Sequence, residues 1–266
     1  MKFYQVVVIG LILMVQSCGA EIEEDNGANE VQTQEVIVDT TNVEVVEEVP
    51  IEINDHLQTI LDKSDTTYQL PFSVDTNFVK AIDFTQKSIQ SALSFENGRY
   101  LAERIVENAP TFNAAYNIEI FCEIDSLKAA GAYEDYVSNL DIGMTQESDA
   151  YIEGVIEIDS SKIIVLWSIT YSTYEACPFA SGTLVLGTLL NNYEVQNTML
   201  FAEVSQGSDP PSWGETQVST TITTDLNLST YSLSQSGDSD EGDVDRIEET
   251  YDAEIGEEAI EYGMEY

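Results

Sequence analysis

The chain has 266 residues, of which 49 are acidic against nine Lys and Arg, giving a formal charge of −40 at neutral pH. Such a surface repels nucleic acid and anionic lipid headgroups, so neither is expected as a partner. One histidine and three cysteines leave little from which to build a Ser-His-Asp triad, a Cys-His pair or a multi-histidine metal centre. No Walker-type loop, GxSxG or GxGxxG follows any strand pattern, and no cofactor or metal is expected.

The first eighteen residues read MKFYQVVVIGLILMVQSC. Lys2 precedes an apolar run from Phe3 to Val15, interrupted only by Gln5. A helix crossing a bilayer needs roughly 20 residues, so this shorter run reads as a secretory signal removed by processing. Its end, Val15-Gln16-Ser17-Cys18, resembles the lipobox of bacterial lipoproteins. The resemblance implies cleavage between Ser17 and Cys18, diacylation of the Cys18 sulfur and acylation of its new amine. The alternative is an ordinary secretory signal in which Cys18 is incidental. Loss of residues 1–17 leaves eight basic residues against 49 acidic ones. The lipid bilayer is then a partner through the acyl chains alone, at about 0.8 kcal/mol per buried CH₂.

Residues 18–55 read as an acidic tether. Between 19 and 55 there are twelve carboxylates and no Lys or Arg, and a flexible linker of this length spans roughly 35 Å before self-repulsion extends it. The valine-rich part, Val36 to Val38 and Val43 to Val49, also alternates weakly, as an edge strand does. Gly19 to Asp25 is similar to the short acidic signals that send Bacteroidetes lipoproteins to the outer face of the outer membrane. A merely solvated spacer is the other reading.

Residues 56–266 are long enough for a single domain with a substantial core. His56 to Leu61 suggests a helical turn, and the proline in Leu70-Pro71-Phe72 an extended segment. Between Thr85 and Val106 the signals conflict. Ile89 and Leu93 have helical spacing, whereas Asn97-Gly98 is a hairpin cue, and a turn is expected there. Ile118, Ile120, Cys122 and Ile124 alternate as one face of a strand. Asp125 to Gly131 reads as a short helix with a glycine stop.

From residue 162 onward the pattern is β. KIIVLWSITYS (162–172) has the apolar run of a central strand, and Leu190-Asn191-Asn192-Tyr193 is a hairpin turn between Thr183–Leu190 and Val195–Val204. Val218 to Thr224, then Leu226 and Leu228, and finally Ile247 to Ile255 with one wet face complete the series. The expected fold is mainly β with minor α: an antiparallel meander, a sandwich or a partly closed barrel. The Gly182-Thr183-Leu184, Gly207-Ser208-Asp209-Pro210-Pro211 and Arg246–Tyr262 features resemble a loose group of small lipoproteins from Flavobacteria and their relatives. This covers about the last 110 residues and implies no catalytic residues.

Three local features remain. Cys122 and Cys177 are expected to form a disulfide in an oxidising compartment, stabilising by roughly 4 kcal/mol through loop closure, the alternative being a buried Cys122 thiol. Asp238 to Glu249 has the length of a calcium loop, but Gly242 falls at the fifth position instead of the sixth, favouring an acidic hairpin. Gly207 to Trp213 suggests a stiff recognition loop, or an indole packed over Pro210 and Pro211. The functional expectation is an outer-membrane, surface-exposed lipoprotein carrying a non-catalytic binding or structural module for a protein or glycan ligand. The alternative is a carboxylate-dependent hydrolase acting on glycans.

Overall fold

The structure is a computed structural model that describes residues 54–82, 91–106, 112–174, 179–240, 242–256 and 259–262. The expected signal segment with Ser17, the expected acylation site Cys18, the expected tether to residue 53 and Cys177 lie outside the described residues.

The domain starts with short elements: α1 (Asp55–Leu61), β1 (Thr67–Tyr68), β2 (Phe72–Val74), α2 (Thr76–Ala81) and α3 (Phe95–Leu101). Asn54, Asp75 and Ser94 cap the three helices by accepting bonds from their first backbone N–H groups. Asn97-Gly98 is therefore inside α3 and makes no turn, and tertiary contact explains why. A Cβ on Gly98 would lie 2.7 Å from the Phe121 ring, so glycine permits the approach of the next helix. That helix, α4 (Phe112–Ala130), replaces the strand expected through Ile118, Ile120, Cys122 and Ile124. Its buried residues Ala114, Ile118, Phe121 and Cys122 follow helical i, i+4, i+7, i+8 spacing. The apparent alternation was only every second member of an apolar helix. Gly131, at φ +71°, stops it, Ala132 N–H donating to Leu127 O as in a Schellman end. The short α5 (Tyr133–Ser138) follows.

Seven long strands then run as a meander: β3 (Thr145–Glu157), β4 (Lys162–Thr173), β5 (Phe179–Asn191), β6 (Glu194–Asp209), β7 (Ser212–Ile222), β8 (Asn227–Asp238) and β9 (Val244–Ile255). The short β10 (Ile260–Tyr262) ends the series beside β9. The protein is thus mainly β, with one ten-stranded, mostly antiparallel sheet that does not close into a barrel. Asn192 and Tyr193, both at positive φ (49° and 65°), form the β5–β6 turn, so the left-handed pair is one residue later than the two asparagines.

The sheet has two buried faces. One face of β4–β6, with Val165, Trp167, Leu184, Leu186 and Leu200, packs against Leu57, Ile60, Leu101, Ile118 and Phe121 of the helices. The opposite face, with Ile164, Leu166, Val185, Leu189, Met199 and Phe201, packs against Ile222, Leu228, Ala253, Ile255 and Ile260 of β7–β10 and Val74 of β2. The second half of the sheet therefore lies over the first as in a sandwich, while α1, α3 and α4 cover the outside and Val79 of α2 joins the inner core. Burial on both faces is why residues 163–167 read as a continuous apolar run.

Buried polar groups tie these layers together. Trp167 Nε1 donates to Thr188 Oγ1 (3.0 Å), which bonds Thr198 Oγ1 (2.8 Å), and Thr198 satisfies the carbonyl of Leu101 at the end of α3. Asn197 on β6 acts as a substitute peptide: its amide donates to Ile260 O at 2.9 Å and accepts from Ile260 N–H at 3.1 Å. Replacing Asn197 by the apolar Leu leaves both groups of Ile260 unpaired. The expected cost is about 1–3 kcal/mol, read as a lower urea midpoint and faster amide exchange around Ile260.

Cys122 is a free, buried thiol on α4 whose Sγ lies 3.6 Å from Phe95 O, while Cys177, its expected partner, lies outside the described residues. Burial raises its pKa, which slows its reaction while the domain is folded. Intact mass is expected to be the same with and without reductant, with Cys122 alkylated in unfolded protein and protected in folded protein. A two-proton mass difference would instead show the expected bridge between Cys122 and Cys177.

Candidate functional site

Beyond the buried region the strands continue as a polar sheet end. Strand register makes this end orderly, because paired residues on neighbouring strands share a face. On the face that carries Val185 and Met199 further along, three rows cross β5, β6 and β7: Phe179–Ser208–Trp213, Ser181–Gln206–Glu215 and Thr183–Val204–Gln217. At about 4.8 Å between strands and 3.3 Å per residue, the grid measures roughly 10 Å by 13 Å. It floors a groove of about 490 Å³ that ends at Val79, Lys80 and Ile82 near α2, with Thr170 of β4 beside it. A second hollow of about 280 Å³ joins it through Gln206 and Glu215 and lies between Phe179 and Trp213.

The aromatic end is built by small residues. Gly237 of β8 pairs with Trp213, and a Cβ there would sit 3.2 Å from the indole, so the ring lies down over the glycine. Trp213 thus belongs to β7 and packs on Gly237. Ser208 occupies the position between the two aromatic side chains and leaves the space above it open. Gly207 to Asp209 form the end of β6, so the expected recognition loop is in fact a hairpin tip at Pro210-Pro211.

The opposite face of the same sheet end carries a smaller groove of about 340 Å³. Gly207, Gly214, Thr216, Ser234 and Ser236 form its floor, with Tyr171 and Ile247 at its sides. At its root the Tyr171 ring crosses Gly182 to reach Ser205, and Ser205 Oγ donates to Glu203 Oε1 at 2.5 Å. Glu203 is 2% exposed and shares its face with Leu184 and Val218. Burial raises its pKa, opposed only in part by the Ser205 bond. Burial, with the nearby Glu203 second, pushes the Tyr171 phenol up to about 12.

Glu203 and Glu215 do not form a glycosidase pair, because they lie on opposite faces of the sheet. Glu215 is the only acid among the described residues lining the larger groove, and Glu203 lies buried on the other face. Hydrolysis by two carboxyl groups needs both at one bond, some 5 to 9.5 Å apart. Nor do Asp238 and Glu249 converge. Gly237 pairs with Val244 and Ser232 with Glu249, placing the two acids about 20 Å apart along the strands. Gly242, at φ +73° with its N–H on Asp238 O, makes the β8–β9 turn, which accounts for its place in the pattern. Among the described residues no cluster of His, Cys, Asp or Glu could hold a metal ion. His56 is exposed, stacks on Tyr100 and bonds Asn97 Oδ1 at 3.0 Å, remote from both grooves.

The raised pKa of Glu203 has a stability consequence. A folded-state pKa above the unfolded value of about 4.3 means the native state holds the proton longer, so Glu203 costs stability as pH rises above that value. Glu203→Gln keeps the partner of Ser205 but cannot ionise. Its thermal midpoint is expected to exceed that of the wild type by a margin that grows from pH 4 to pH 8. Parallel curves would show that Glu203 titrates alike in both states.

No protein-family model matches the chain, and neither a curated protein nor a solved structure matches it.

Proposed function

We propose that this chain is an acyl-anchored lipoprotein of the outer membrane, exposed on the cell surface, whose domain is a non-catalytic binding module. The address rests on Val15-Gln16-Ser17-Cys18 and on the acidic run Glu21 to Asp25 behind it. The observation that carries the binding reading is the grid of polar and aromatic side chains at the free end of the sheet. A rigid sheet holds those side chains in fixed spacing, so a ligand meets a preformed surface with little ordering cost. The tether adds reach and its charge keeps the domain off the anionic bilayer.

The anchor is tested by growing cells with a fatty-acid analogue. Cys18→Ala is expected to abolish labelling of the protein, and persistent labelling would sink the lipoprotein reading. Protease added to intact cells is expected to shave the wild-type domain. Resistance until the outer membrane is opened would turn it towards the periplasm.

A further inference from the structure

We propose that the groove running from Lys80 to Trp213 is a binding site for a neutral glycan, an assignment that rests on the binding reading above and names its ligand class. The chemistry of the lining is the first argument. A pyranose ring offers C–H faces that are apolar and a rim of hydroxyls that both donate and accept. Phe179 and Trp213 stand two strands apart, about 10 Å, with only Ser208 between them, which leaves room for one flat ring against an aromatic surface. The next row supplies amide and carboxylate groups, Gln206 and Glu215, and the third supplies Thr183 and Gln217. Amides and hydroxyls match a rim that donates and accepts, whereas a charged ligand would call for an opposing charge at each anion or cation.

Electrostatics exclude the anionic members of the class. The groove holds one cation, Lys80, and one carboxylate, Glu215, among its described lining residues, within a chain of net charge −40. Acidic sugars would be repelled by the surrounding field, and uncharged ones would not. The position of the groove argues against a peptide. It lies on the face of central strands whose backbone groups are already paired with their neighbours on both sides. A peptide adding to a sheet needs an unpaired edge, and this face offers side chains only. The amide of Gln206 is loosely held, its one described contact being Ser181 Oγ at 3.5 Å, so exchanging it for a ligand hydroxyl costs little.

Affinity electrophoresis of the full-length, acylated protein in detergent micelles tests this. The gels carry soluble neutral polysaccharides (a β-glucan, an α-glucan, a xylan and a galactomannan) or anionic polygalacturonate. The expected result is retardation by at least one neutral polysaccharide and none by polygalacturonate. Trp213→Ala is expected to weaken that retardation at least tenfold, Trp213→Phe to keep most of it, and exposed Gln206→Ala to weaken it severalfold without touching the core. Tyr116→Ala, exposed on α4, is expected to leave it unchanged. No retardation by any neutral polysaccharide, equal retardation of the wild type, Trp213→Ala and Gln206→Ala, or preference for polygalacturonate would each overturn the proposal. A peptide-array ligand lost in Trp213→Ala, with no glycan retained, would overturn the glycan assignment while leaving the domain a binding module.

Discussion

β6 and β7 are hydrogen-bonded to each other only from Glu203–Val218 to Asp209–Ser212, and below that point they part. The parting is what turns one sheet into two layers, because β7 carries β8, β9 and β10 across the back of β4–β6. It also frees two strand edges, which would be costly to bury unpaired and hazardous to expose. Each is taken by a piece of the domain's first half. The segment around Ile105 pairs with Thr198 of β6, with Val106 N–H on Thr198 O and Thr198 N–H on Arg104 O. β2 pairs with the end of β7 through Phe72–Ile222 and Val74–Thr220. The Asn197 amide then closes the remaining distance to β10. The short, irregular elements before β3 are therefore the stoppers of a split sheet, and the two cores depend on them.

The same split separates core from site. Where β6 faces both layers it is buried without interruption from Asn197 to Glu203, and where it runs beside β7 it becomes polar. Glu203 stands at the boundary, its carboxyl among apolar neighbours and its one named bond reaching outward to Ser205. Past it, a chain with so many acids still keeps the site nearly free of them. The carboxylates collect instead on β9, where Asp245, Glu248 and Glu249 are exposed. Charge along such a strand discourages a second sheet from adding to it. The Arg246–Glu248 pair there, at 2.6 Å and half exposed, adds little stability of its own.

Much of the second half was legible in the sequence because its burial is written in the pattern. KIIVLWSIT is apolar on both faces since both faces are covered, and the Asn191-Asn192-Tyr193 turn announces a hairpin. The helical half was misread for two separate reasons. In α4 the isoleucines at 118, 120 and 124 happen to fall on even positions, and the period-2 signal outweighed the period-3.6 signal carried by Ala114 and Phe121. In α3 a turn dipeptide was absorbed into a helix because Gly98 serves contact with Phe121, a tertiary reason that local propensity does not contain. The groove was illegible for a different cause. Trp213 and Asp-Pro-Pro stand out locally, but Phe179, Gln206 and Thr183 acquire meaning only through a register that sets residues 21 to 29 positions apart side by side.

That register also fixes how much a single side chain can be asked to do. The Ser181 and Thr183 rows are held by ladder bonds to β4 and β8 on either side, and the aromatic row is set by β8, with Gly237 beneath Trp213. On the proposed binding reading, a surface so held recognises by spacing, its affinity coming from many modest contacts, with the aromatic row supplying the largest apolar area. Such a site suits a repeating ligand presented in excess more than a rare and tightly held one. The acyl anchor and acidic tether proposed above would complement it, because tethering many copies to one surface turns weak contacts into retention through multivalency.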